Sequence, residues 1–212
     1  MPTLPLMLAS LVLLGWFPGG PDHAENPTTP LEPRTVLDFD SADAAERWVV
    51  VNDNVMGGRS EGGPEFTGQT VLFTGTTNTN GGGFSSIQTV EQAWDTLADA
   101  DGLLVRVRGD GREYIARLRT DARVMGRRVA YHQTFQTSPD GSWAVVRIPF
   151  DKFRATVFGE DVSRWAAEFD PARVRTLGFM IYDKQDGPFR LEIDWVKAYT
   201  GEALPPDHDE TL

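Results

Sequence analysis

With 212 residues, the chain is long enough for one domain with a sizeable core. Its 31 acidic and 20 basic residues give a formal net charge of −11, which argues against a nucleic-acid backbone as the main partner, because basic residues must supply that affinity. The lack of cysteine removes disulfides, thiolate catalysis, zinc–thiolate sites and iron–sulfur ligation.

The chain opens on "MPTLPLMLASLVLLGWFPGG". The apolar run from Leu4 to Phe17 is shorter than the roughly 20 residues of a transmembrane helix, and has the length of a signal-peptide h-region. No Lys or Arg precedes it, and Asp22 stands where a cleavage site ending at Ala24 wants a small residue. A mitochondrial transit peptide is Arg-rich, and the first Arg here is Arg34. The expectation is a weak signal peptide over residues 1–24 and export to a bacterial periplasm, with no stable transmembrane span in the mature chain; the alternative is an N-terminal membrane anchor. Residues 25–34, "ENPTTPLEPR", read as a Pro-rich linker. Residues 35–200 read as one β-domain, and 201–212 as an acidic disordered tail.

From Thr35 onward, short apolar stretches alternate with Gly, Asn and Asp turns, and no long helical period appears. "SADAAERW" and "DVSRWAAEF" are the two short helical candidates. In "LLVRVR", Leu103, Val105 and Val107 oppose Arg106 and Arg108. Read as a hairpin turn, "GDG" then leads into "REYIARLRT", so that Arg106, Arg108, Arg117 and Arg119 share one polar sheet face, near Glu192 and Asp194. In "FRLEIDWV", strict alternation puts Trp195 in the core with Phe189, Leu191 and Ile193, and Glu192 on the surface. His132 is the single imidazole between the two ends of the chain, where His23 and His208 lie, so a His-rich metal site or a Ser-His-Asp relay is hard to build.

Several stretches carry a resemblance in order: "VNDNVMGGRSEG", "NGGGFSSIQT", "LLVRVRGDGREYIARLRT", "WAVVRIPFDKF" and "TLGFMIYDKQDGPFRLEIDWVKAY". From Val36 to Tyr199 the chain resembles the NADH:ubiquinone oxidoreductase complex I intermediate-associated proteins. The resemblance implies an all-β fold: a jelly-roll β-sandwich of the galactose-binding-domain-like type, with one or two short helices. For the mitochondrial members it also implies a chaperone-like role in assembling respiratory complex I.

"NDNVMGG" and "NTNGGGFSS" share a composition, and two readings of them compete. In the structural reading, Asp and Asn satisfy loop amides, Gly57, Gly58, Gly81 and Gly82 allow close backbone approach, and Met56 and Phe84 pack beneath. In the functional reading the loops form a polar pocket from Asn52, Asp53, Asn54 and Asn80, with Trp48 or Phe84 stacking on a sugar ring and Arg106, Arg117 and Asp183 as further binding candidates. The oxygen-rich loops also suit a calcium ion, although no EF-hand spacing is present. No cofactor is expected, since "GDGREY" is neither a Walker loop nor a dinucleotide fingerprint. The functional expectation is a non-catalytic binding or assembly-factor-like module with a protein or glycan partner and no catalytic residue. The alternative is a carbohydrate-active hydrolase in which carboxylates such as Asp53, Asp183 and Glu192 converge.

Overall fold

Two antiparallel sheets enclose one main core in the computed structural model, which describes residues 32–40 and 44–201. The expected signal segment, most of the linker and nearly all of the tail lie outside the described residues. The first sheet holds β1 (Arg34–Leu37), β3 (Glu61–Phe66), β4 (Val71–Thr77), β6 (Gly102–Arg108), β9 (Ala144–Pro149) and β13 (Gly187–Tyr199). Its order is β3-β4-β13-β6-β9, with β1 paired to the C-terminal half of β13. The second sheet holds β2 (Trp48–Asn52), β5 (Ser85–Thr89), β7 (Glu113–Val124), β8 (Arg127–Gln136), β10 (Arg154–Val157), β11 (Glu160–Asp161) and β12 (Val174–Ile181). Its order is β11-β10-β8-β7-β12-β5-β2.

The core follows from alternation. Val71 and Phe73, Leu103 and Val105, and Leu191 and Ile193 face inward from the first sheet; Ile87, Leu118 and Phe179 meet them from the second. Helical structure is confined to short 3-10 turns among the described residues. The first helical candidate is a turn over Ala44–Arg47, and the second keeps one α-type bond, Ala166 N–H to the Val162 carbonyl at 2.9 Å. The Gly-Gly-Pro sequence of β3 hides it from pattern reading. It is an edge strand, where Pro is tolerated, and a Cβ on Gly62 would lie 2.5 Å from Ser85 Oγ.

Two sequence expectations fail here, each for a local reason. The "GDG" turn is a corner between the sheets: β6 pairs with β13 and β9, whereas β7 pairs with β12 and β8. Asp110 ties that corner by accepting from the Arg112 and Arg190 backbone N–H groups and from the Tyr114 hydroxyl. Arg106 and Arg108 therefore belong to one sheet and Arg117 and Arg119 to the other. The second failure is a β-bulge. The β13–β6 register runs from Ile193↔Val107 to Trp195↔Arg106, so Asp194 is the extra residue and the alternation inverts after it. Val196 takes the inward place, while Trp195 is half-buried against the Leu104–Tyr199 cluster, as Val145 is.

The same strand buries Glu192, which is 5% exposed and accepts from Thr70 Oγ1 at 2.9 Å, Arg108 Nε at 2.8 Å and an Arg190 guanidinium nitrogen at 2.9 Å. Replacing Glu192 by Ala strands two guanidiniums, although both reach solvent. The expected loss is about 1–2 kcal/mol. Trp195→Ala should cost about 2 kcal/mol, below the usual range for a fully buried aromatic. Urea titration of the two variants should give comparable midpoint shifts, and a silent Glu192→Ala would contradict this arrangement.

Candidate functional site

The loop after β2 is built around one carboxylate. Asn52 ends the strand and Asp53–Met56 makes a single 3-10 turn, closed by Gly57 at φ +88°. Asp53 is fully buried. One carboxylate oxygen accepts from the Ser60 backbone N–H at 2.8 Å; the other accepts from Ser60 Oγ at 2.6 Å and from the Gly83 and Phe84 N–H groups at 2.5 and 3.3 Å. Burial alone would raise its pKa, but these bonds together hold it below the ordinary carboxylate value. Both loops singled out in the sequence thus close on Asp53, with no counter-ion among the described residues.

Glycine is required here for close approach. A Cβ on Gly58 would fall 2.2 Å from Asp53 Cγ, and one on Gly82 would fall 2.4 Å from its carboxylate oxygen. Gly57 has open space and only its left-handed φ to satisfy, and Gly81, at φ +92°, packs on the Gly57 carbonyl. Gly58→Ala should therefore lower the melting temperature well beyond Gly57→Ala, for which backbone strain costs about 1 kcal/mol. Equal shifts in a thermal melt would contradict the carboxylate-centred packing.

The neighbouring polar groups are also committed. Asn52 donates to the Gly62 carbonyl at 3.0 Å and accepts from Ser85 Oγ at 2.6 Å. The Asn80 N–H bonds to the Asn78 side chain at 3.0 Å in an Asx turn. Asn54 and Asn80 are exposed. Met56, 64% exposed, does not plug the core, because the 3-10 turn directs it and Val55 outward while Asp53 turns in. Phe84 meets Tyr182 edge-on at 6.3 Å, and Trp48 packs on Phe39 at 6.1 Å, half-buried against the core.

Asp183 lies just past β12, facing a residue the sequence reading missed. Its side chain is 3% exposed and receives both Nε (2.8 Å) and a terminal nitrogen (2.7 Å) of Arg112 in a fork. Arg112 also donates to Thr77 Oγ1 and to the carbonyls of Gln185, Gly187 and Pro188. This cation joins the corner loop, the end of β4 and the β12–β13 turn. Burial pushes the Asp183 pKa up, and the Arg112 fork together with the Gln185 N–H brings it below the ordinary carboxylate value.

The three carboxylates proposed for hydrolysis share no partner: Asp53 belongs to the loop amides, Asp183 to Arg112, and Glu192 to Arg108 and Arg190. All three are held below ordinary carboxylate values once burial is offset, the opposite of a general acid. Among the described residues no group of three His, Asp or Glu side chains is placed to hold a metal ion, and no helix is long and apolar enough to cross a membrane. A groove of about 1170 Å³, lined in part by Tyr131, Phe150, Phe153 and Phe169, involves none of the sequence-selected residues.

The two arginine candidates differ in kind. Arg106 is paired with Asp194, and its guanidinium lies 4.8 Å from the Trp143 ring centroid, as does that of Arg108. Arg117 lies on the outer face of the second sheet, beside His132 and Arg119, without an ion pair among the described residues. Burial, with Arg119 adjacent, pushes its pKa down to about 10. Burial, with Arg117 and Arg154 near, likewise lowers that of His132.

This architecture is that of carbohydrate-binding jelly rolls. A family 11 carbohydrate-binding module of a Clostridium thermocellum cellulosomal cellulase matches with TM-score 0.58 at 14% identity, covering 85% of this chain and all of that one. The same module family in complex with a mixed-linked tetrasaccharide gives TM-score 0.56 at 14% identity, covering 79% of this chain and 95% of the other. Sequence defines the family. The profile of Complex I intermediate-associated protein 30 (CIA30) matches residues 37–193, and the chain belongs to this family. The mitochondrial protein of that name from Mus musculus is 29% identical over 191 residues, covering 80% of this chain and 57% of its own length. The Drosophila melanogaster protein is 32% identical over 202 residues, covering 85% and 66%. The chain thus spans about three-fifths of the length of these curated relatives. Their mitochondrial naming overturns the expectation of a bacterial periplasmic location and points to mitochondria instead. Apolar length alone misled that reading, since the leading segment lacks the basic residues of both a signal and a transit peptide.

Proposed function

We propose that the sandwich of residues 35–200 is a non-catalytic binding unit that associates with a protein partner during assembly of complex I. The observation that carries this reading is the CIA30 match across residues 37–193. The committed state of Asp53, Asp183 and Glu192 supports it, because each carboxylate of the hydrolase alternative is spent on the fold. A protein partner is favoured over a glycan: both aromatics offered for ring stacking are engaged, Trp48 with Phe39 and the core and Phe84 edge-on with Tyr182. The test is affinity capture by the full chain from a detergent extract of mitochondria, with complex I subunits quantified by mass spectrometry, beside a β-glucan array. Enrichment of complex I subunits without glucan binding is expected. Glucan binding without such enrichment, or hydrolysis of a glucan, would overturn the reading.

A further inference from the structure

Strand register arranges the outer face of the second sheet in rows. One row crosses β12, β7, β8 and β10 as Gly178, Arg117, His132 and Arg154. Two residues along β7 on one side lies Arg119; two residues along on the other lies Ile115, with Met180 beside it. Neighbouring strands are about 4.8 Å apart and alternate residues on a strand about 6.6 Å, so the cations spread over roughly 10 by 7 Å.

Arg117 and Arg119 are half-buried, and neither makes a hydrogen bond or an ion pair with another described residue. The half-buried or buried guanidiniums of the first sheet and its corner are paired, by contrast: Arg106 with Asp194, Arg108 with Glu192, and Arg112 with Asp183. Glu91, the acid near Arg119, is ion-paired with Arg128, so folding gains little from two adjacent, partly desolvated guanidiniums. A partner bringing carboxylates would gain, because the guanidiniums are already partly desolvated and the forks are open to bidentate bonds.

We infer that this face docks an extended acidic segment of a partner protein running along β7, with carboxylates over Arg119 and Arg117 and an apolar side chain over Ile115 and Met180. Alternate residues of an extended peptide have the spacing of Arg119, Arg117 and Ile115, whereas a single phosphate cannot span the row. The inference rests on the reading of the protein as a partner-binding module and specifies the surface used.

The test is fluorescence anisotropy of the full chain with a fluorescein-labelled peptide repeating Glu-Ser-Glu-Ser-Leu, its Lys-for-Glu counterpart, and inorganic phosphate as competitor. The acidic peptide should bind, weaken with added salt, and lose at least tenfold in affinity with Arg117→Gln or Arg119→Gln, while both variants melt at or above the wild-type temperature. The Lys peptide should not bind. No acidic-peptide binding by the folded chain, equal binding by the variants, or full displacement by millimolar phosphate would overturn the inference. Capture of complex I subunits separates the two claims: capture that survives Arg117→Gln undiminished removes this surface and leaves the function standing, whereas no capture by the wild type removes the function itself.

Discussion

Asp53→Asn should lower the melting temperature by roughly 6–12 °C, about 3 kcal/mol for a chain of this size. The substitution keeps the shape and removes the charge. The carboxylate, however, faces only donors: the Ser60 N–H on one oxygen, and Ser60 Oγ with the Gly83 and Phe84 N–H groups on the other. An amide places an NH₂ against one of these sets whichever way it is turned. With its oxygen on the crowded side, the buried Ser60 N–H still meets a donor. The pH dependence follows with its sign. The folded pKa of Asp53 lies below the unfolded value near 4, so its stabilisation is complete above about pH 4 and fades as pH falls toward the folded value. Asp53→Asn should flatten that acid limb as well as lower the plateau in thermal melts across pH. A variant as stable as wild type would mean that the loop is not held by the carboxylate.

Arg112→Leu should cost more, about 4 kcal/mol, or roughly 8–16 °C. It leaves the Asp183 carboxylate, 3% exposed at its side chain, without a counter-ion, and removes donors from the carbonyls of Gln185, Gly187 and Pro188. Arg112→Lys should rescue little, since one ammonium cannot reproduce the fork and reach those carbonyls together. The double variant Arg112→Leu with Asp183→Asn should recover part of the loss, because the charge left behind is gone. Chemical denaturation of wild type, Arg112→Leu, Asp183→Asn and the double variant measures the coupling. Additive losses would contradict the buried pair.

What the sequence made legible was periodic or compositional. The inward sides of β6, the first half of β7 and the first half of β13 could be read from alternation, because each lies flat against the core. "NDNVMGG" and "NGGGF" stood out by composition, and their meeting at Asp53 is what their glycines permit. The failures have one kind of cause. A bulge at Asp194 changes the parity of every later residue in β13 without any marker such as Gly or Pro. A "GDG" corner and a "GDG" hairpin have the same letters, and only the pairing partners of β6 and β7 separate them. Arg112 looked like any arginine after a turn; its burial comes from three segments distant in sequence closing over it. For the same reason Arg117 shares no face with Arg106, which lies on the other sheet.

The proposed division, with the Asp53 loop as architecture and the outer face of the second sheet as the partner surface, can be separated by site-specific photo-crosslinking. A benzophenone side chain at exposed Thr134, which lies opposite Ile115 on that face, is compared with one at exposed Asn54 on the Asp53 loop, each in the full chain added to mitochondrial extract. Crosslinks to complex I subunits are expected from position 134 and none from position 54. Crosslinks to those subunits from position 54 alone would contradict that division.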